Sequence, residues 1–258
     1  MRFGACFDPD KVGLVEKLGY DFFEGSVAQF AAMTDAEFEE IVKLFDKSSI
    51  RCEVNRSLFP GDMKLIGPEL TEDAIRAYLK KAFARVRRLG TEIVVFGSGA
   101  ARKAPESVRA EDAWARLVAV SRIVAEEAAP YGIVCVVEPL NRMETNMINS
   151  QLDGLKLVQD VGHPNFRVLS EYFHLTVMGE GPAEVEACAG YMAHTHIANP
   201  NGRGVPLSTE ESDYASFFRA LRNIGYDGRM SVEAVVGDAE PELGAALQVL
   251  RTLDGAKG

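Results

Sequence analysis

The stretch Ala82-Phe83-Ala84-Arg85-Val86-Arg87-Arg88-Leu89-Gly90-Thr91-Glu92-Ile93-Val94-Val95-Phe96-Gly97 contains the unit that repeats along the chain. Upstream of and within it, Ile75, Leu79, Ala82, Phe83, Val86 and Leu89 recur at helical spacing, which predicts an amphipathic helix with one buried face. Gly90 follows the last apolar position, where a helix commonly closes in a left-handed turn. The short apolar run Glu92–Gly97 then reads as a buried strand. The same helix-glycine-strand join recurs at Leu18-Gly19-Tyr20, Tyr131-Gly132-Ile133 and Ile224-Gly225-Tyr226.

Working outward, strands are expected at Arg2–Cys6, Asp21–Glu24, Arg51–Val54, Glu92–Gly97, Val134–Glu138, Arg167–Glu171, Met192–Ile197 and Arg229–Glu233. Helical patterns lie between them. The capping box Thr34-x-x-Glu37 precedes Phe38, Ile41, Val42 and Phe45, and Ser208-x-x-Glu211 is expected to open a helix carrying Phe217, Phe218, Leu221 and Ile224. Eight strands alternating with helices fit a doubly wound sheet or a closed barrel. No glycine-rich dinucleotide or P-loop fingerprint follows the first strand, and the count of eight favours closure. The expected fold is therefore α/β, a (β/α)8 TIM barrel, as a single domain over residues 1–258 with a short polar tail at 254–258.

Composition agrees. The 258 residues are 47% hydrophobic and 26% charged, as in a globular chain, and no apolar run approaches the ~18 residues of a membrane span. Lys+Arg 28 against Asp+Glu 38 leaves a net charge of −10, which disfavours nucleic acid and anionic membranes as partners. Asp8-Pro9 interrupts the N-terminus where a secretion signal needs an apolar run, so a cytoplasmic location is expected. Cys6, Cys52, Cys135 and Cys188 form no C-x-x-C pair and read as buried thiols.

Chemistry in such a barrel gathers where strands end. Strands five to eight end in Glu138, Glu171, His196 and Glu233. Charges at the ends of apolar strands are costly unless paired, hydrogen-bonded or bound to a metal. Three carboxylates and one imidazole suit Mn²⁺ first, or Mg²⁺ or Co²⁺, better than the thiolate sites of structural zinc. Strands five and eight lie three apart in a ring of eight, so Glu138 and Glu233 are expected to face each other. They could take a proton from one face of a substrate carbon and return it on the other, giving epimerisation or isomerisation beside a carbonyl. In the loops beyond, Glu144, His174 and Arg203 are the leading candidates for holding substrate oxygens. Glu24 reads either as a contact to a substrate hydroxyl or as an internal salt bridge, Phe7 as a pocket wall or plain packing, Trp114 as helix core, His194 as a hydrogen-bonded interior histidine, and His163 as a turn residue at the opposite rim.

At these residues the sequence resembles the xylose-isomerase-like TIM barrel superfamily, within it the group of D-tagatose/D-psicose 3-epimerases, L-ribulose 3-epimerases and hydroxypyruvate isomerases. Glu138-Pro139-Leu140-Asn141-Arg142-Met143-Glu144-Thr145 is similar to that group's E-P-x-N-R-x-E-T signature. Phe173-His174 matches its D-x-F-H segment, and His196-Ile197-Ala198 with Gly202-Arg203-x-x-Pro206 its H-I-A…G-R-x-x-P segment. The run Val94 to Arg102 is common in the wider superfamily.

The resemblance implies metal ligands at Glu138, Glu171, His196 and Glu233, an acid/base pair in Glu138 and Glu233, and substrate contacts at Glu144, His174 and Arg203. It also implies a small carbohydrate substrate and a homo-oligomer, dimer or tetramer. Glu171 departs from the group, which carries Asp there. The expected activity is that of a divalent-metal-dependent epimerase or isomerase of a small, unphosphorylated ketose or related hydroxy-carbonyl compound. The alternatives are a metal-dependent lyase or dehydratase of a 3-oxo-sugar or inosose, and a non-catalytic binding barrel. An abasic-DNA repair barrel of the same superfamily would need far more histidine than the four present.

Overall fold

The protein is described here by a computed structural model covering residues 1–67 and 70–255. Eight parallel strands close into a barrel in sequence order: β1 (Arg2–Cys6), β2 (Phe22–Ser26), β3 (Val54–Arg56), β4 (Ile93–Phe96), β5 (Val134–Val137), β6 (Phe166–Glu171), β7 (Met192–Ile197) and β8 (Arg229–Val232), with β8 pairing back to β1. The expected (β/α)8 barrel is the observed fold. Residues 256–258 of the expected polar tail lie outside the described residues, and 254–255 belong to the last helix, Ala239–Gly255.

The helix-glycine-strand joins have a backbone cause. Gly19, Gly90, Gly132 and Gly225 all have positive φ, 86°, 96°, 67° and 69°, which a side chain would oppose. The capping box at Thr34 is present: Thr34 Oγ1 accepts from Glu37 N and Glu37 Oε2 accepts from Thr34 N.

Three expectations shift. The second strand runs on to Ser26, and the third begins three residues later than expected. Residues 51–53 form an extended lead-in whose carbonyls already accept from Phe23, Glu92 and Ile93, and the paired strand starts at Val54 opposite Glu24. Ser208 and Glu211 do not open a helix. Glu211 instead accepts from Leu207 N and Asn199 Nδ2, tying down a loop, and the helix Tyr214–Asn223 is capped by Asp213. Short extra helices such as Val27–Ala32, Gly99–Arg102 and Tyr172–Val177 sit directly after strands at the mouth.

Strand alternation divides the core in two. Phe22, Val54, Ile93, Val95, Val136 and Leu169 fill the barrel, while a larger cluster including Phe23, Phe83, Val94, Val124, Phe166 and Leu250 packs the strands against the helices. Phe7 belongs with this outer packing, so its structural reading holds. All four cysteines are free and buried. Trp114 is only partly buried and donates from Nε1 to Asp160 at 2.8 Å. Below the barrel, Glu53 links Arg2 and Arg229, binding β1 and β8 to the lead-in of β3.

The interior tolerates no added volume at Gly4, where a Cβ would come 2.2 Å from Cε2 of the fully buried Phe22 ring. Gly4→Ala is expected to destabilise by about 1–3 kcal/mol, the usual cost of overpacking. The midpoint of urea unfolding reads this directly, and an unchanged midpoint would show that the barrel interior can yield.

Candidate active site and metal centre

Each strand sends one residue inward at the upper layer of the barrel. Val54, Val95, Val136 and Leu169 face the interior, so the residues two further on, Arg56, Gly97, Glu138 and Glu171, face it one layer higher. Cys6, Glu24, His196 and Glu233 complete this ring from the other strands.

His196 is its centre. Its Nε2 lies 3.0 and 3.2 Å from the two oxygens of Glu24, and its Nδ1 lies 3.1 Å from Glu233 Oε2 and 3.4 Å from Glu138 Oε1. Both His196 and Glu24 are fully buried. Burial alone would strip the charge from the imidazole, but Glu24 and then Glu233 raise it well above its ordinary range. Burial likewise opposes ionisation of Glu24, and His196 and His194 overcome it, holding the carboxyl well below its usual range. Glu24 is therefore an internal partner of two histidines, the second through His194 Nε2 at 3.1 Å, and not a free hydroxyl contact.

Burial also acts to raise the Glu233 carboxyl, and His196, Arg203 and Arg56 together bring it down to about 2. Arg203 Nη2 donates to Glu233 at 3.0 Å and Nη1 to Glu144 at 3.3 Å, while Arg56 Nε lies 3.5 Å from the other Glu233 oxygen. Ligating atoms of Glu138, His196 and Glu233 fall within 4.8 Å of one another, as do those of Cys6, Glu24 and His196. The first group fits a divalent cation. Its three donors are two carboxylates and an imidazole nitrogen, a set suited to such ions. The carboxylate of Glu24 on Nε2 fixes the tautomer, leaving Nδ1 able to ligate, as a carboxylate behind a metal-bound histidine does. The Nδ1 proton that faces two carboxylates here answers the same demand for positive charge. The second group fits poorly, because burial first, then Glu24, pushes the Cys6 thiol well above its ordinary value and Glu24 is already engaged.

Glu171 is not among these atoms. Its oxygens accept from Phe173 N at 3.1 Å and His174 N at 2.7 Å, capping the helix Tyr172–Val177. Burial raises its carboxyl to about 8 despite Arg203 nearby. The structure thus brings three of the four expected ligands together and turns the fourth toward a helix end.

The expected substrate contacts converge on the same mouth. His174 Nδ1 accepts from Asn141 N at 3.2 Å, which places its proton on Nε2. Nε2 is buried with no partner among the described residues. Burial, then Arg203, lowers His174 to about 3, so the ring stays neutral and offers an N–H. Glu144 accepts from Asn141 Nδ2 and from Arg203. His163, whose Nδ1 accepts from Asn165 N, sits before β6 at the opposite rim.

Two features escaped the sequence reading. One is Arg56, hidden in a three-residue strand. The other is the seat of Glu138. A Cβ on Gly97 would lie 2.3 Å from Glu138 Oε2, so the carboxylate occupies the space glycine leaves. The fully buried Arg102 donates to the carbonyls of Phe96 and Glu138 at 2.9 and 2.6 Å, fixing the end of β5 to that of β4. The run Gly97 to Arg102 was visible as a motif, yet its spatial role was not.

A closed barrel with a carboxylate-imidazole group able to hold a cation at its C-terminal mouth defines a class, the α/β barrels with a candidate metal centre. The sequence profile of the xylose isomerase-like TIM barrel family matches residues 12–253, and the chain belongs to that family. It is 35% identical over 141 residues to an L-ribulose 3-epimerase of Methylomonas sp. (strain DH-1), covering 54% of this chain and 49% of that protein. The chain thus spans about half the length of this relative and likewise 52% of an L-ribulose 3-epimerase of Mesorhizobium japonicum, to which it is 30% identical. Similarity to a D-psicose 3-epimerase of Agrobacterium fabrum (strain C58) is 27% over 261 residues, covering 98% and 88%. The fold matches a D-psicose 3-epimerase crystal structure with D-tagatose from Clostridium cellulolyticum H10, TM-score 0.84 at 21% identity, over 99% and 100% of the two chains. No helix among the described residues is long and apolar enough to cross a membrane.

Two outcomes follow from the site's local chemistry. Gly97→Ala forces the Glu138 carboxylate aside while touching only the far end of a side chain. Its melting temperature should change little while Co²⁺ affinity, read from the visible absorption of the bound ion, falls at least tenfold. Unchanged affinity would remove Glu138 from the centre. Glu171 is protonated in the fold up to about pH 8 against an ordinary value of 4.5. Its contribution to the stability of chelator-treated protein is therefore complete below about pH 4.5 and is lost as pH rises through 8. Glu171→Gln should flatten this decline between pH 5 and 8; parallel curves for the two proteins would contradict the assignment.

Proposed function

We propose that this protein is a divalent-metal-dependent sugar epimerase that moves a proton beside a carbonyl, with Glu138 and Glu233 as the acid/base pair. The observation that carries this reading is the position of His196 Nδ1 between the Glu138 and Glu233 carboxylates, with its other nitrogen locked by Glu24. The family and its 3-epimerase relatives support the same direction. Glu138, His196 and Glu233 would hold the ion, Mn²⁺ before Mg²⁺ or Co²⁺, and Glu171 would remain the cap that sets the level of His174. The ion would supply Lewis-acid stabilisation of charge developing on the substrate oxygens.

The chain's own groups account for the rest. Glu233, held ionised, takes the proton from the substrate carbon next to the carbonyl, leaving an enediolate. Glu138, carrying the proton in this direction of the reaction, gives it to the opposite face of that carbon, so the epimer leaves with Glu233 protonated and Glu138 ionised, and exchange with solvent resets the pair. His174 donates from Nε2 to a substrate oxygen, and Arg203 and Glu144, already joined to each other, take the neighbouring hydroxyls. Arg203 thereby links recognition to the base, since its second nitrogen rests on Glu233.

Incubation with Mn²⁺ in D₂O across a panel of ketoses and 3-oxo-sugars, followed by NMR, tests this. Deuterium should appear at one carbon together with a new epimer. Glu138→Gln and Glu233→Gln should each lower turnover by at least about 10²-fold, the low end of general acid/base contributions. Chelation should abolish turnover and Mn²⁺ restore it. Epimer formation persisting in either variant defeats the two-base assignment, whereas exchange without an epimer is what the remaining base alone gives, and a dehydrated product without an epimer assigns the site to a lyase.

A further inference from the structure

In the inward ring at the mouth, every ionisable acid or base but one has polar partners inside the protein among the described residues. Glu24 is held by two histidines, Glu138 and Glu233 face His196, and Glu171 caps a helix. Arg203, reaching in from its loop, spends both terminal nitrogens on Glu144 and Glu233. Arg56 is the exception. Among the described residues its side chain donates no hydrogen bond, its Nε is buried without a partner, and its one ionic neighbour is Glu233 Oε1 at 3.5 Å.

Arg56 owes its position to register. It follows Val54 by two residues on β3, so it points into the barrel one layer above the apolar fill, and its side chain is only 35% exposed. A permanent cation partly withdrawn from water, with its buried Nε unsatisfied, is costly unless something completes it. Glu233 does not do so, since its Oε1 stands 3.5 Å from Arg56 Nε and accepts no hydrogen bond from it.

We propose that Arg56 receives a carboxylate of the substrate, so that the compound turned over is a sugar acid of the ketouronate class and not a neutral ketose; this rests on the epimerase reading above. Single hydroxyl groups do not match the planar fork of the guanidinium, whereas a carboxylate meets it with two oxygens. A phosphate presents three oxygens and a larger charge, and the second guanidinium of the mouth is already committed. The location also suits one molecule held at both ends. Glu144, His174 and Arg203 come from the loops after β5, β6 and β7, and Arg56 comes from β3 on the far side of the acid/base pair.

The test compares compounds that differ only at the terminal carbon: D-fructuronate and D-tagaturonate against D-fructose and D-tagatose, with D-fructose 6-phosphate as the phosphate arm. Binding to the Mn²⁺-loaded protein is measured by calorimetry, and deuterium incorporation by NMR. Uronates should bind at least tenfold more tightly than the matching ketoses. Arg56→Met should weaken uronate binding by about 10- to 100-fold more than ketose binding, the range of a charge-assisted hydrogen bond. Arg56→Lys, which keeps the charge but loses the fork, should lie between, and circular dichroism confirms that both variants fold.

Equal affinity for acids and ketoses overturns the proposal, as does an equal loss on both in Arg56→Met, which would confine Arg56 to holding Glu233. Tighter binding of the 6-phosphate replaces the carboxylate with a phosphate. The two readings fail separately. Arg56-dependent uronate binding without deuterium exchange refutes the epimerase and keeps the anion site, while exchange on ketoses with no preference for acids does the reverse.

Discussion

A single buried imidazole governs the mouth of this barrel. His196 has no exposure, and its two nitrogens are claimed by carboxylates on opposite sides, Glu24 below and Glu138 with Glu233 above. Buried ions are tolerated only when each satisfies another, and removing one partner leaves the rest uncompensated. The three glutamates and the histidine are therefore one unit, and the register of the strands that carry them is constrained by it. Glu171 pairs with His196, and His196 with Ser231, so β6, β7 and β8 reach the mouth at a common level. A slip of one residue on β7 would turn His196 outward and leave three glutamates facing one another.

The proposed acid/base pair is supported unequally. Glu233 is flanked by three cationic groups, which keep it charged. Glu138 meets only His196 through its side chain and depends on shape and backbone, with the open space over Gly97 and the two carbonyls gripped by Arg102. Burial pushes Arg102 down to about 10, still charged at neutral pH, so a full positive charge lies beneath the carboxylate without bonding to it. One member is thus fixed by charge and the other by packing. This difference suits the opposite roles proposed for the two groups.

Much of this was legible in the sequence, for a physical reason. A charged residue closing an apolar run has few alternatives to a strand end, so Glu138, His196 and Glu233 stand out, and the helix-glycine-strand joins mark the repeats that bring them together. What was hidden depended on three-dimensional partners. Glu24 reads equally as a hydroxyl contact or an internal salt bridge until the two histidines of β7 are seen beside it. Glu171 is read as a ligand from its place at a strand end, and its tie to the helix that begins at the very next residue, too short to show a period, is not visible in sequence. Arg56 lies in a strand of three residues, where alternation has no length to declare itself. Ser208 and Glu211 matched a capping pattern, but Glu211 found better donors in Leu207 N and Asn199 Nδ2.

The two sides of the mouth are therefore different in kind. Toward β5–β8 the carboxylates, His196 and Arg203 complete one another, and His174 keeps a buried Nε2 without a partner among the described residues. Such a network is rigid, because moving any member strands a buried charge. Toward β3 the protein leaves Arg56 incomplete. A barrel of this family can keep its chemistry constant on the saturated side and change its substrate by altering one inward residue on the other. Under the proposal above, Arg56, with its buried Nε unpartnered at the mouth, is the residue that carries specificity.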